Sequence, residues 1–292
     1  MSSTVFDRRL ARTRLARARA LGHADFLAVR AAEDLEDRLG AVLRQFPVVV
    51  DLGTPTAHLA RALSSRPGTE RVLRLAPLPE PGAVVADEEA LPLAAESANL
   101  VVSALALQGV NDLPGTLIQA RRALAPDGLL LACLLGGATL HELRQSFAAA
   151  EAETTGGVSP RVAPFADVRD LGALMQRAGF ALPVVDADPI VVRYADVFGL
   201  LRDLRAMGLT NALVERRKAP LRRDTLARLA EIYAERYADP DGRVRATFEL
   251  VWLSGWAPHE SQQKPLRPGS ARMRLADALG TREIGAGDKA KP

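Results

Sequence analysis

The sequence predicts an α/β protein with a doubly wound, mostly parallel sheet and a helical insertion before the last strand. Two observations carry this. From Phe46 onward, short apolar runs alternate with helical patterns, as βαβ units require. Glycine, proline and aspartate punctuate the ends of those runs. The 292 residues are 48% hydrophobic and 25% charged, within the globular range and enough to bury a substantial core.

Val48 to Val50, followed by Asp51-Leu52-Gly53, read as a buried strand ending at a glycine. A helix follows over 57–64, where Leu59, Ala60 and Leu63 share a face. Strands are predicted at 71–75, at Val84-Val85 and at 99–105, the last rich in β-branched residues. A helix over 112–124 stops at Pro126-Asp127-Gly128, a turn before a fifth strand over 129–135. Helices over 139–153 and 167–178 precede a strand over 180–188. Long helical stretches at 196–207 and 221–237 break the alternation and form the insertion, and an alternating strand returns at 247–256. Three regions result: a basic helical segment over 1–45 packing on the core, an α/β domain over 46–265 with its insertion at about 195–240, and a flexible tail over 266–292 rich in Pro, Gly, Ser and Lys.

Several function classes drop out. The single cysteine, Cys133, permits neither an internal disulfide nor a cysteine-based zinc site, which suits a reducing compartment. No apolar run approaches the ~18 residues of a membrane span. Aromatics are only 4%, too few for a base-stacking surface, and the net charge of +3 is too diffuse for nucleic acid. The basic residues concentrate in Arg8, Arg9, Arg12, Arg14, Arg17 and Arg19. That pattern suits a solvated helix, an anionic partner or a targeting segment. A second cluster, Arg216, Arg217, Lys218, Arg222 and Arg223, faces water or meets an acidic protein surface. His23, His58, His141 and His259 are scattered without metal-ligand spacing. Trp252 and Trp256 share one strand face as core residues.

Chemistry is expected where strands end, because open α/β sheets bind ligands outside the carboxyl ends of their strands. Asp51-Leu52-Gly53 lies at such an end, and Asp87-Glu88-Glu89 follows the short third strand at the same edge. Asp87 is placed to accept a hydrogen bond from an amino group such as that of adenine. In this order the elements resemble the class I S-adenosylmethionine-dependent methyltransferases. Val5-Phe6-Asp7-Arg8, Val110-Asn111-Asp112-Leu113-Pro114, Gly136-Gly137, Glu142-Leu143-Arg144, Gly156-Gly157-Val158-Ser159-Pro160, Arg177-Ala178-Gly179-Phe180 and Gly255-Trp256 before His259-Glu260-Ser261-Gln262 sharpen the likeness. Across nearly the whole chain they resemble the mitochondrial complex I assembly factor 5 family and its alphaproteobacterial relatives.

The resemblance implies a seven-stranded, Rossmann-like methyltransferase fold and a role in assembling respiratory complex I, with a complex I subunit as protein partner. It also implies hydroxylation of an arginine on such a subunit, the family's reported activity, or methyl transfer. S-adenosylmethionine is the implied cofactor, with Asp51, Gly53, Asp87, Glu88 and Ser103 as its contacts. The expected location is the bacterial cytoplasm, or the mitochondrial matrix in a eukaryote.

Against the family pattern, the chain departs at four places around one crevice. The glycines expected after Gly53 are replaced by Thr54-Pro55-Thr56-Ala57, and Pro55 fixes φ and removes an N–H. The acid expected at the end of the second strand is missing. Pro77, Pro79 and Pro81 leave no room for the following helix, and Glu80 is the one carboxylate able to reach back. Gln108-Gly109 stand for a His-Trp pair, and Ala138 for an acid. The expectation is therefore a member with a degenerate cofactor site that acts as an assembly or accessory factor, the alternatives being an active enzyme on a protein substrate and a crevice remodelled for another ligand through Thr54 and Thr56.

Overall fold

The computed structural model describes residues 4–263 together with Met273, Asp277, Gly280 and Thr281. The chain divides into two units, Met1–Pro258 and His259–Pro292. Most of the predicted 266–292 tail lies outside the described residues. The named helices and strands all fall in the first unit: α1 (Arg8–Ala20), α2 (Phe26–Gly40), β1 (Val48–Leu52), α3 (His58–Ser64), β2 (Arg71–Ala76), β3 (Ala83–Val85), β4 (Ala98–Ala104), α4 (Leu113–Ala123), β5 (Leu124–Leu135), α5 (His141–Thr155), α6 (Val168–Arg177), β6 (Ala181–Tyr194), α7 (Val197–Ala206), α8 (Arg223–Tyr237) and β7 (Val244–Trp256).

The strands form one seven-stranded sheet in the order β3-β2-β1-β4-β5-β7-β6. β1 to β5 pair in parallel, and β7 enters antiparallel between β5 and β6. Strand order reverses between β1 and β4, so the carboxyl ends of β1, β2 and β4 open on the crevice where this class of sheet binds ligands. The central strands are apolar on both faces because helices cover both. On one side Val49 and Leu100 pack with α2 through Leu35 and Leu39 and with Phe248 and Trp252 of β7. On the other, Val50, Leu52 and Val101 pack with α4 and α6 through Leu117, Leu171 and Met175.

Aspartate side chains begin four of the helices. Asp7, Asp112, Asp167 and Asp196 accept from the backbone N–H three residues on, satisfying a donor the helix cannot. Between β2 and β3, residues 77–82 contain no helix, as the three prolines require.

Three predicted boundaries move. β5 begins at Leu124 rather than Leu129, because the Pro126-Asp127-Gly128 turn is absorbed as an irregularity inside the strand. Asp127 takes φ +63°, and the Gly128 carbonyl accepts from Ala257 N at 2.8 Å. β6 runs on to Tyr194 and β7 starts at Val244, since the two strands pair from Val184↔Ser254 to Tyr194↔Val244. Pro189 is tolerated because β6 is an edge strand.

Gly255 of β7 lies under α6, and a Cβ there would sit 2.7 Å from Met175 Cε and 2.9 Å from Phe180 Cβ. Gly255→Ala is expected to cost about 1–3 kcal/mol by overpacking, read as a lower urea midpoint at unchanged slope.

Candidate functional site

β1 delivers Asp51, Leu52 and then Gly53 to the crevice. Gly53 takes φ +72°, and its N–H donates to the Leu75 carbonyl at 2.8 Å. A side chain there would meet Ala106 Cβ at 2.9 Å and Glu88 Oε1 at 3.0 Å, so both the backbone turn and the packing require glycine. Ser103 is buried on β4, and its hydroxyl donates to the Leu52 carbonyl at 2.7 Å. Thr54 Oγ1 accepts from Ala104 N at 3.1 Å. Both hydroxyls are engaged with neighbouring backbone.

An arginine fills the space between β1 and β2. The parallel register sets Asp51 beside Arg74. One Arg74 terminal nitrogen donates to Asp51 Oδ2 at 2.5 Å, the other donates to the Thr54 carbonyl at 2.8 Å, and Nε donates to Glu80. Asp51 is 0% exposed and Arg74 5%. Burial pushes the Asp51 carboxyl up to about 6, although Arg74 and Thr54 pull it down. Burial works against the Arg74 charge too, but Glu80 and Asp51 outweigh it and raise its pKa. Glu80 does reach back to β2, and what it meets is Arg74 and Arg19 rather than open space.

Helix α1 closes the crevice from outside. Arg8, Arg12 and Arg19 recur at helical spacing along one side. Arg8 pairs with Asp87 at 2.7 Å, with Glu89 at 2.9 Å and with Glu88. Arg12 pairs with Asp87 at 2.6 Å. Arg19 pairs with Glu80 at 2.9 Å and donates to the Pro55 carbonyl at 3.0 Å. Partial burial works to raise Asp87, but the Glu89 N–H with Arg12 and Arg8 prevails and holds it below the usual carboxylate range. The start of the helix is pinned as well: Val5 and Phe6 N–H donate to Asn111 Oδ1 at 2.9 and 2.8 Å, and Asp7 N–H donates to the Ala212 carbonyl at 2.8 Å.

Beside these pairs lies a cavity of about 350 Å³ that touches Gly53, Pro55 and Glu88 and extends between α1, α5 and α7. Its wall is mostly apolar side chains, among them Leu15, Leu143, Phe147, Leu204 and Met207. Leu105 and Leu140 also line it, both at φ +54°, a left-handed conformation that costs of order 1–3 kcal/mol at a non-glycine residue. Gln108 and Gly109 line it from a short 3-10 turn at Leu107–Gly109.

Of the sequence-predicted contacts, the structure brings Asp51, Gly53 and Glu88 to one edge, sets Asp87 beside them under Arg8 and Arg12, and turns Ser103 to the backbone. Sequence reasoning missed Arg74 and the pairing role of Arg8, Arg12 and Arg19. The signal available was an arginine two residues before the end of β2 and an arginine stripe opposite an acidic run. Among the described residues no group of three or more His, Cys, Asp or Glu could hold a metal ion. His259 forms a local turn with Ser261, Nδ1 to Oγ at 2.8 Å. In the basic cluster, Arg216 contacts Asp7 at 3.5 Å and Arg222 contacts Asp224.

Comparison with known proteins shows the family and the fold. A methyltransferase-domain family model matches residues 23–183. The arginine-hydroxylase NDUFAF5, mitochondrial, of Danio rerio is 38% identical over 287 residues, spanning 94% of this chain and 89% of that protein. Its human counterpart is 40% identical over 263 residues, 87% of this chain and 76% of that protein. A malonyl-[acyl-carrier protein] O-methyltransferase of Halorhodospira halophila is 37% identical over 256 residues, 83% of this chain and 85% of that protein. Among solved structures, a candidate methyltransferase of Bacillus halodurans superposes with a TM-score of 0.53 at 17% identity, covering 78% of this chain and 100% of that one, a likeness of fold alone.

Removing one partner of a buried pair leaves the other charge uncompensated. Arg74→Met should therefore cost about 3–5 kcal/mol near pH 7.5. The loss should shrink at pH 5, because the Asp51 carboxyl, already raised by burial, takes up a proton there and no longer needs a cation. Asp51→Asn in the same chain should recover part of the loss. Urea unfolding at the two pH values reads all three.

Proposed function

The chain belongs to the methyltransferase family that includes the arginine-hydroxylase NDUFAF5 proteins and the malonyl-[acyl-carrier protein] O-methyltransferases, and from that membership we propose that it is a non-catalytic member whose cofactor crevice is closed by its own arginines, acting as an accessory factor in respiratory complex I assembly. The observation that carries this is the buried contact of Arg74 with Asp51. The Asp51 carboxylate at the end of β1 already has a protein cation, and one of its oxygens, Oδ1, is buried without a partner. Glu80, Asp87, Glu88 and Glu89 are likewise held by Arg74, Arg19, Arg8 and Arg12. Pro55 has no N–H for a bound amino-acid group, and β2 ends in Ala76 rather than in an acid for the ribose hydroxyls. The residues present do not fit S-adenosylmethionine held in the manner of the fold.

On this reading the family's outer surfaces bind a protein, a complex I subunit, without modifying it. Among the described residues no helix is long and apolar enough to cross a membrane. The compartment we infer is the bacterial cytoplasm, or the mitochondrial matrix in a eukaryotic host. A second reading, an active methyltransferase or arginine hydroxylase on a protein substrate, draws support from the left-handed Gly53 and from the cavity beside it.

Ligand-linked stability separates the two. A cofactor at a hundredfold excess over Kd stabilises the native state by about 2.7 kcal/mol, several degrees in melting temperature. S-adenosylmethionine and S-adenosylhomocysteine at millimolar concentration are expected to leave the melting temperature unchanged, while a tagged chain recovers a complex I subunit from its native host. A clear upward shift with either nucleoside would favour the enzyme, and purification without any respiratory subunit would remove the assembly role.

A further inference from the structure

We propose that the cavity beneath α1 is a binding site for a small, uncharged, predominantly apolar molecule. This concerns the crevice just described and rests on the reading that its acids are neutralised from within. At about 350 Å³ the cavity sits at the small end of the ~300–1,000 Å³ range of ligand pockets, and apolar side chains supply most of its wall, some from α1, α5 and α7 and the rest from the segments between elements.

Two features say what it would accept. The first is charge. Each ionised group on the wall has an ion-pair partner, Arg8 and Arg12 with Asp87, Arg8 with Glu88, and Arg161 with Glu151, although the Nε donors of Arg8 and Arg12 are buried without an acceptor. A charged guest would have to displace one of these partners, whereas an uncharged one displaces only water that an apolar wall holds poorly. The second is backbone conformation. Leu105 follows β4 and Leu140 precedes α5, yet both are left-handed and both present leucine to the same space. Non-glycine residues persist in that conformation where the surroundings over-determine it, and such outliers cluster at ligand clamps. Their backbones are fixed by Leu105 N–H to the Cys133 carbonyl at 2.8 Å and Leu140 N–H to the Thr247 carbonyl at 2.7 Å. The two leucines are thus tied to different strands, β5 and β7, and line one volume.

The test uses the full chain and N-phenyl-1-naphthylamine, an uncharged fluorophore that brightens in apolar surroundings, with 1-decanol, decanoate and decyltrimethylammonium as competitors of matched length. Saturable binding is expected, with decanol displacing the probe about tenfold more effectively than either ion, a difference of ~1.4 kcal/mol. Ala11→Trp and Ala163→Trp, which fill the cavity from opposite sides of the chain's sequence, should each weaken the probe by a similar factor. No saturable binding, equal displacement by charged and uncharged competitors, or unchanged affinity in both tryptophan variants with their melting temperatures intact would overturn the proposal. Displacement of the probe by S-adenosylmethionine, itself a charged molecule, would overturn the closed-crevice reading and the preference for an uncharged guest together, whereas absence of probe binding with a melting temperature unmoved by S-adenosylmethionine would overturn this proposal and leave that reading in place.

Discussion

The crevice is organised by one buried contact, the Arg74 guanidinium against the Asp51 carboxylate. Neither group tolerates burial alone, since the desolvation of an isolated charge costs several kcal/mol. Their neighbouring positions in the parallel register put them within reach without any backbone adjustment. The guanidinium then has two further faces to satisfy, and the Thr54 carbonyl and Glu80 supply them. Drawing Glu80 back toward β2 fixes the course of the proline-rich connection, and Arg19 of α1 closes on the same carboxylate. A helix outside the sheet is thereby tied to the innermost acid of the crevice through two arginines and one glutamate.

The outer pairs differ in kind from the inner one. Arg12 and Asp87 are more than a third exposed, so their attraction is screened and adds little stability individually. Arg8 and Glu88 are more enclosed and share partners, which makes them part of a network rather than isolated bridges. Placement is their larger contribution. They set α1, through Ala11 and Leu15, over an apolar space that would otherwise face solvent.

Much of the architecture could be read from residue patterns, and the site much less so. The valines and leucines of β1, β4 and β5 announce buried parallel strands because both faces are covered, and Pro77, Pro79 and Pro81 forbid a helix whatever their surroundings. The turn at Pro126-Asp127-Gly128 keeps its left-handed Asp127, and β5 reaches back past it because Leu124 pairs with Ala98 of β4 before regular pairing resumes at Leu129. Arg74 could not be foreseen from periodicity. With Arg71 exposed at the start of the same strand, Arg74 reads as another solvent residue, and only the register shows that Asp51 stands next to it. The α1 arginines read as a solvated stripe for the same reason, since their acids lie about 60 to 80 residues away in the chain.

Coupling between Asp51 and Arg74 also constrains how the sequence can change. Replacing the arginine first strands a carboxylate at zero exposure, whereas replacing the aspartate first leaves a guanidinium that Glu80 and Thr54 still hold. Substitutions at contacting sites are not additive, so the order in which they occur decides whether an intermediate folds. Of the two orders, losing Asp51 before Arg74 leaves the fewer buried groups without a partner.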